Sequence, residues 1–247
     1  VLTAGFTHTL GTLTVGSGGQ INVTNNGATK NVTSYTLATS GTGRVNLSGS
    51  HLFLSGGSLN NAGVVDFASD FGVLANGGTN LFSNTGTVTK SAGTGTSQIS
   101  VPMNDANGSW TPATGAISLT NGSSGASSGS MSVSGAGRVS FDGGIFTLSG
   151  INVAAGGTAG AGGGNARFAN GGTWATGSNL LLTGGSIGGA GAISYLGTGT
   201  WSGGDLGIGG GTLTVGNGGQ INVTNPGVTK NVSSYTLATT GTGRVNL

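Results

Sequence analysis

Apolar and polar residues alternate in short segments along much of this chain. Between residues 44 and 89 the segments return every six to eight residues, as RVNLSG, HLFLSG, SLNNAG, VVDFAS, GVLANG, TNLFSN and TVTK. Each segment places two or three apolar side chains at positions i and i+2, which is the period of a β-strand, and most segments end in Gly, Asn or Ser. Helical spacing with capping residues is found in no window of about twelve residues. The pattern predicts an all-β chain of many short strands.

Strands this short, joined by two to four residues, form either the hairpins of a meander or the three faces of a parallel β-helix. A Gly-x-Gly motif before a strand helps to choose, since it starts at positions 41, 135, 189 and 241. If the motif returns to one face after whole coils, the intervals of 94, 54 and 52 residues are roughly five, three and three coils of about 18 residues. Because parallel crossovers are almost always right-handed, the sequence predicts a right-handed parallel β-helix (β-solenoid) with three short strands per coil of about 18–21 residues.

Each strand of such a solenoid turns alternate side chains inward, and successive coils stack about 4.8 Å apart. The alternation therefore predicts the structural core. The predicted core residues are Val45, Leu47, Leu52, Leu54, Val65, Phe67, Val139, Phe141, Ile193, Tyr195, Val245 and Leu247.

Two nearly identical stretches of 37 residues, 11–47 and 211–247, lie 200 positions apart. They differ only at Ser17/Asn217, Asn26/Pro226, Ala28/Val228, Thr33/Ser233 and Ser40/Thr240. These exchanges are between residues typical of turns or strands, so we expect one shared conformation. We interpret residues 1–247 as one continuous β-solenoid window of a tandem array, with a 200-residue unit (11–210) and the next copy at 211–247. Ile21 and Ile221, and likewise Tyr35 and Tyr235, are then expected at matching positions in their coils.

The composition narrows the classes of partner. Gly supplies 56 residues, charged residues make up 5%, and the net charge is +2 without any Lys/Arg cluster, so nucleic acid is not expected as a partner. The chain has no Cys, which excludes disulfides and thiolate metal sites. Apolar runs of about three residues are too short for a membrane helix, so no membrane insertion is expected.

Polysaccharide-degrading enzymes are one alternative, because they use paired carboxylates in a groove. The available carboxylates are Asp66, Asp70, Asp105, Asp142 and Asp205. Their spacing does not place two of them together, and we expect all five to be exposed turn or strand residues. His8 and His51 are too far apart to indicate a metal site. No catalytic, cofactor-binding or metal-binding residue is therefore predicted.

Two further features bear on binding. Trp110, Trp174 and Trp201 are expected to pack in the core or at corners rather than to stack on sugar rings. Residues 91–96 and 156–170 are candidates for loops inserted into coils, where an adhesin would carry its ligand site.

One phrase carries a family resemblance. Residues 82–102, FSNTGTVTKSAGTGTSQISVP, resemble the F-x-N-x-G-T…K-x-x-G-x-G-T…I-x-V-P phrase of giant bacterial β-strand-repeat surface proteins. These are grouped with filamentous-haemagglutinin-like and autotransporter-passenger-like β-solenoids. The following residues, MNDANGSW at 103–110, depart from the plainer strand expected there. The resemblance implies export, a β-solenoid fold, and a structural or adhesive role outside the cell or on its surface.

Three functions remain open at this point. The first is a structural element of an extracellular bacterial fibre, stalk or giant cell-surface protein, which self-associates end to end and laterally and performs no catalysis. The second is an adhesin that binds glycans or a host surface through side-face loops. The third is a polysaccharide-degrading β-helix enzyme.

Overall fold

The computed structural model describes residues 11–25, 28–123 and 129–247. Within these residues the chain is all-β without a helix, and its strands form a parallel β-solenoid of about ten turns with three sheets around each turn. The predicted fold class is confirmed.

In the part of the chain that the structure describes, thirty strands build the solenoid. The first fifteen are β1 (Thr12–Val15), β2 (Gln20–Val23), β3 (Lys30–Thr33), β4 (Thr36–Leu47), β5 (Leu52–Ser55), β6 (Ser58–Phe67), β7 (Val73–Ala75), β8 (Leu81–Asn84), β9 (Thr87–Lys90), β10 (Thr96–Ile99), β11 (Met103–Asp105), β12 (Ser109–Pro112), β13 (Ala116–Leu119), β14 (Ser130–Val133) and β15 (Arg138–Phe141). The others are β16 (Ile145–Leu148), β17 (Gly150–Val153), β18 (Thr158–Ala161), β19 (Asn165–Phe168), β20 (Gly172–Trp174), β21 (Asn179–Leu182), β22 (Ser186–Gly188), β23 (Ala192–Tyr195), β24 (Thr198–Trp201), β25 (Gly204–Gly207), β26 (Thr212–Val215), β27 (Gln220–Val223), β28 (Lys230–Ser233), β29 (Thr236–Thr239) and β30 (Arg244–Asn246).

The strands stack in three faces, which we number in chain order. Face I holds β1, the first halves of β4 and β6, β8 and β11, a bridge from Met103 to Ser123, and then β16, β19, β22, β25 and β28. Face II holds β2, the second halves of β4 and β6, and then β9, β12, β14, β17, β20, β23, β26 and β29. Face III is an 11-stranded sheet from β3 to β30. The long strands β4 and β6 run through a corner, with a register shift between Ser40 and Arg44.

The turns are somewhat longer than the predicted 18–21 residues. Paired residues are separated by 19 positions between Asn179 and Thr198 and by 26 positions between Val73 and Ile99, and most pairs lie between these values. The additional residues lie in the corners, since most strands keep three or four residues.

The assumption that the Gly-x-Gly motif marks one face is wrong. The motif at Gly41 precedes the second half of β4 and the motif at Gly189 precedes β23, both on face II, whereas those at Gly135 and Gly241 precede strands of face III. Gly41 and Gly241 nevertheless have nearly the same left-handed φ, 59° and 58°. One local corner structure therefore serves two different corners of the solenoid.

The core follows the predicted alternation over most of its length. The predicted residues from Val45 to Tyr195 are all buried inside the stack. Val245 is only half-buried against the core, and Leu247 is fully exposed, so its assignment to the core is wrong. Among the described residues no strand pairs above β30 at the edge of face III, so these two side chains are left uncovered.

Where both are described by the structure, the two 37-residue copies share one local conformation. In both, the first strand pairs with residues 24 positions later, as Thr12 with Thr36 and Thr212 with Thr236. The left-handed Ser34 and Ser234 have φ values of 51° and 50°. The expectation of a shared conformation is confirmed.

The copies nevertheless occupy different faces. Nine successive pairings on face II lead from β2 to β26, but the sequence equivalent of β2 is β27, which lies one face later on face III. The 200-residue spacing thus corresponds to nine turns and one third of a turn. Tyr35 and Tyr235 both pack half-buried against the core, as expected, but on corners one face apart.

Candidate functional site

The ammonium groups of all three lysines bind oxygen atoms at corners. Lys90 is fully buried, and its Nζ lies 2.8 Å from the Ser69 carbonyl oxygen, 2.7 Å from Asp70 Oδ1 and 3.1 Å from Ser97 Oγ. A buried ammonium needs such partners because an unpaired charge inside the protein is very costly. Asp70 is exposed, and its hydrogen bond from Lys90 lowers the pKa of the Asp70 carboxyl.

Lys30 and Lys230 close the same corner in the two copies. Lys30 Nζ donates to the carbonyl oxygens of Asn25 and Ala28, both at 2.5 Å. Lys230 Nζ donates to the equivalent oxygens of Asn225 and Val228, at 2.7 and 2.8 Å. The three lysines therefore stabilise corners of the solenoid instead of forming a basic surface.

Two of the five carboxylates are buried, so the expectation that all are exposed is wrong. Asp66 Oδ2 accepts from Arg44 Nη1 at 2.5 Å, and its Oδ1 accepts from the Ser91 amide at 3.2 Å. The residue is only 5% exposed because the guanidinium and the neighbouring turns cover it. The sequence pattern does not identify such partners, since they lie about one turn apart.

Asp105 ends a ladder of polar side chains inside face I. Thr39 Oγ1 donates to Asn61 Oδ1 at 2.6 Å, and Asn61 Nδ2 donates to Asn84 Oδ1 at 2.8 Å. Asn84 Nδ2 then donates to Asp105 Oδ2 at 3.0 Å, and Trp110 Nε1 donates to the same oxygen. Burial raises the pKa of the Asp105 carboxyl, against the lowering by these hydrogen bonds. The ladder joins four successive turns.

The last two carboxylates also accept bonds from the solenoid itself. Asp142 accepts from the hydroxyls of Ser118 and Ser140, each at 2.5 Å. Asp205 Oδ1 accepts from the backbone and side-chain amides of Asn231, at 3.1 and 2.9 Å. Among the described residues no group of three or more His, Cys, Asp or Glu is placed to hold a metal ion.

The tryptophans belong to the interior, as the sequence predicts. Trp110 and Trp174 are fully buried and Trp201 is 5% exposed. Trp110 packs edge-on against Phe82, with ring centroids 6.3 Å apart. Trp174 packs at an angle between Phe168 and Tyr195, with centroid distances of 6.1 and 6.4 Å. These rings stabilise the stack of turns.

The two predicted loop insertions have different outcomes. Residues 91–95 form an exposed corner between β9 and β10, closed by the Gly95 amide donating to Asp70 at 3.0 Å. Residues 156–170 contain β18 and β19, which pair in regular register with the turns on either side, so the prediction of an inserted loop there is wrong. Glycine runs in this stretch form tight corners.

An aromatic patch of His51, Phe53, Phe71 and Leu74 lies on the outside of face III. The His51 ring packs edge-on against Phe71 at 5.0 Å and lies 6.0 Å from the Phe53 ring. His51 Nδ1 accepts from the Gly72 amide at 2.9 Å, and burial lowers the pKa of the imidazole. All four side chains are half-buried. The alternation in HLFLS places Leu52 and Leu54 inward, so the same alternation indicates that His51 and Phe53 point outward.

A row of uncharged polar residues runs along the outside of face II. Ser132, Asn152, Thr173 and Ser194 are exposed and directly paired from turn to turn. The first three line a shallow groove of about 460 Å³ with neighbouring alanines. We call these four residues the polar row.

The described residues include no helix that is long and apolar enough to cross a membrane. No protein-family model, curated protein or solved structure matches this chain.

Proposed function

We propose that this chain is a structural element of an extracellular bacterial fibre, stalk or giant cell-surface protein, and that its continuous solenoid is itself the function. The observation that carries this proposal is the pair of 37-residue copies. Their described residues keep one conformation although they lie on different faces of one stack. A unit with this property lengthens a rod simply by adding turns, without a linker or a separate domain core.

Residues 82–102, the stretch that resembles surface proteins, contribute side chains that stabilise the solenoid, and this supports a mechanical role. Phe82 and Ile99 are core residues, Asn84 belongs to the internal ladder, and Lys90 closes a corner. Each of these residues therefore stabilises turns. The resemblance also supports secretion to the cell surface.

Imaging tests the proposal directly. Electron micrographs of the chain should show a thin uninterrupted rod, and aligned samples should give an axial reflection near ~4.8 Å. In a tandem repeat protein the 200-residue unit should recur every ~45 Å along the axis. Beads separated by flexible gaps would contradict the proposal.

Lateral self-association is part of the same proposal. The polar row bears no charge, so repulsion between neighbouring rods along face II is weak. Light scattering should therefore show association that changes little across a salt series. Asn152→Lys, which adds a charge to the polar row, should reduce the association. Asn179→Lys, on face III, is the control and should leave it unchanged. Association that appears only at high salt would contradict a contact between rods through the polar row.

The aromatic patch favours a second candidate, an adhesin that binds glycans. Half-exposed rings beside the Asn31 and Asn76 amides, which hydrogen-bond at 3.2 Å, offer stacking and polar contacts to a sugar. A glycan array should then show binding that Phe53→Ala abolishes and that Leu181→Ala, a half-buried outward residue of the same face, leaves unchanged. Equal loss in both variants, or no binding by the unaltered chain, would reject the adhesin.

A further inference from the structure

A shallow groove lies on the outside of face III, where four of its strands begin. Its volume is about 270 Å³, and it is lined by Thr96, Ala116, Arg138 and Thr158, which are directly paired from turn to turn. These are the first residues of β10, β13, β15 and β18, and each of the four strands is paired on both sides. The groove therefore belongs to the middle of the solenoid wall. We call it the arginine groove.

Arg138 brings a positive charge into the groove without a counter-ion from the chain. Its Nε atom is buried and has no hydrogen-bond partner, and no ion pair to Arg138 is found among the described residues. Arg44, by contrast, pairs with Asp66 at 2.5 Å. The residues outside the described ranges contain no Asp or Glu. The charge of Arg138 is therefore not neutralised from inside the solenoid.

Two carboxylates lie next to strands of face III, and the fold engages both. Asp70, shortly before β7, lies 2.7 Å from the Lys90 ammonium. Asp142, directly after β15, accepts from two serine hydroxyls, each at 2.5 Å. A carboxylate partner for Arg138 has to come from another molecule.

Threonine hydroxyls lie around the guanidinium. Thr94, Thr96 and Thr158 line the groove together with Arg138, and the first two are exposed while Thr158 is half-buried. A threonine hydroxyl both donates and accepts hydrogen bonds. The described residues that line the groove include no aromatic or large aliphatic side chain, so the groove suits a polar ligand.

We propose that the arginine groove binds the carboxylate of a uronic acid in an acidic saccharide. The planar guanidinium fork matches the two oxygens of a carboxylate and offers Arg138 the partner that it lacks. The sugar hydroxyls then meet the threonine hydroxyls. A volume of about 270 Å³ lies below the range of about 300–1,000 Å³ typical of pockets for drug-sized ligands, so the groove receives one unit of the saccharide.

An acidic peptide fits this surface less well. Peptides that dock on β-sheets commonly add a strand to a free edge. The four strands of the groove have no free edge, because each is paired with two neighbours. The saccharide site goes beyond the proposed structural role and does not rest on it, so its failure would leave the rod in micrographs unaffected.

Nuclear magnetic resonance of the arginine side chains tests the site directly. The chain has four arginines, and the Nε–H signal that is lost in Arg138→Ala assigns Arg138. Digalacturonate should shift this signal but not that of Arg167, an arginine of face I whose Nε is also buried without a partner. The dimethyl ester of the same disaccharide is the control and should shift neither signal. Equal shifts with the acid and the ester, or no shift with the acid, would overturn the proposal.

Affinity separates the guanidinium fork from its charge. Arg138→Ala should weaken digalacturonate binding at least about tenfold, and Arg138→Lys, which keeps the charge, should weaken it roughly threefold. Arg167→Ala, which removes the same charge on face I, should leave the affinity unchanged. Full affinity in either Arg138 variant would contradict recognition by the fork. Denaturant midpoints show which variants fold, and Arg138→Lys keeps the test open if Arg138→Ala does not.

A carboxylate supplied by the chain should compete with the ligand. Thr158 is paired directly with Arg138, so Thr158→Glu places a carboxylate beside the guanidinium. Thr158→Glu should therefore bind digalacturonate about tenfold more weakly than Thr158→Gln, which has the same size without the charge. Equal affinity in these two variants would show that the ligand binds elsewhere.

Competing ligands test the class of partner. An aspartyl-aspartate dipeptide and a sulfated disaccharide should both bind more weakly than digalacturonate. Tighter binding of the dipeptide would indicate an acidic protein as the partner, and tighter binding of the sulfated sugar would reject the carboxylate. Phe53→Ala should bind digalacturonate normally, because Phe53 lies in β5, outside the groove. A loss equal to that in Arg138→Ala would assign the binding to the aromatic patch and overturn the arginine groove.

Discussion

Ile21 pairs with Val45 on face II, whereas Ile221, its counterpart 200 residues later, pairs with Val245 on face III. The two isoleucines have the same neighbours in sequence and the same local ladder, yet they face different sides of the rod. Side-chain features of a 200-residue unit are therefore rotated by one third of a turn in the next unit. Three units would restore the original orientation and present each feature on every side.

We first predict that engineered disulfides will report this rotation. Thr200 pairs with Asn222 on face III, so Thr200→Cys with Asn222→Cys should oxidise to an intramolecular disulfide. A unit of whole turns would instead return residue 222 to face II, beside Ser194. Ser194→Cys with Asn222→Cys is therefore the control, and preferential oxidation of that pair, measured by non-reducing electrophoresis and mass spectrometry, would contradict the rotation.

The sequence was sufficient for the local structure but not for the placement of faces. Alternation in segments such as HLFLSG identifies Leu52 and Leu54 as core residues, because strand period and burial are local properties. Which face a strand joins depends on how many residues each corner takes, and the turns vary from 19 to 26 residues. Because two corners have nearly the same structure, the Gly-x-Gly motif occurs at both. The spacing of the motif therefore could not give the number of turns.

The polar interior was also beyond the sequence. Asp105 and Asn84 are 21 positions apart, and nothing local indicates that their side chains meet inside the stack. Such a pair becomes predictable only after the register between turns is known. Lys90 and Asp70 are separated by a similar distance along the chain, for the same reason.

The second prediction concerns the end of the internal ladder. Asp105→Ala should lower the free energy of unfolding by about 2–4 kcal/mol, because the donors of Asn84 and Trp110 would stay buried without their acceptor. Asp205→Ala, which removes a half-exposed carboxylate bound to Asn231, should cost less than about 1 kcal/mol. Urea denaturation measures both, and equal costs would argue against the ladder as a stabilising network.

The third prediction is an acid-dependent loss of stability at Asp70. The Lys90 ammonium lowers the pKa of the Asp70 carboxyl in the folded protein, so folding favours the charged form. This contribution is complete above the unfolded value near 4 and is lost as the pH falls through the lower folded value. Asp70→Asn should therefore be less stable than the unaltered chain at pH 6 and approach it at pH 2. Denaturant midpoints across this range measure the effect, and a constant difference would contradict the coupling.

The fourth prediction uses the close approach of neighbouring turns. Gly160 lies in β18, and a Cβ at this position would be 1.8 Å from the Leu181 carbonyl oxygen of the next turn. Because a backbone carbonyl in the ladder cannot move without breaking its hydrogen bonds, Gly160→Ala should destabilise the protein by about 2–4 kcal/mol. Gly16 is the matched control, since no heavy atom lies within 4 Å of its added Cβ. Gly16→Ala should be neutral or stabilising by up to about 1 kcal/mol, because alanine restricts the unfolded chain. Chemical denaturation distinguishes the two, and a harmless Gly160→Ala would mean that the turns are not stacked as closely as this fold requires.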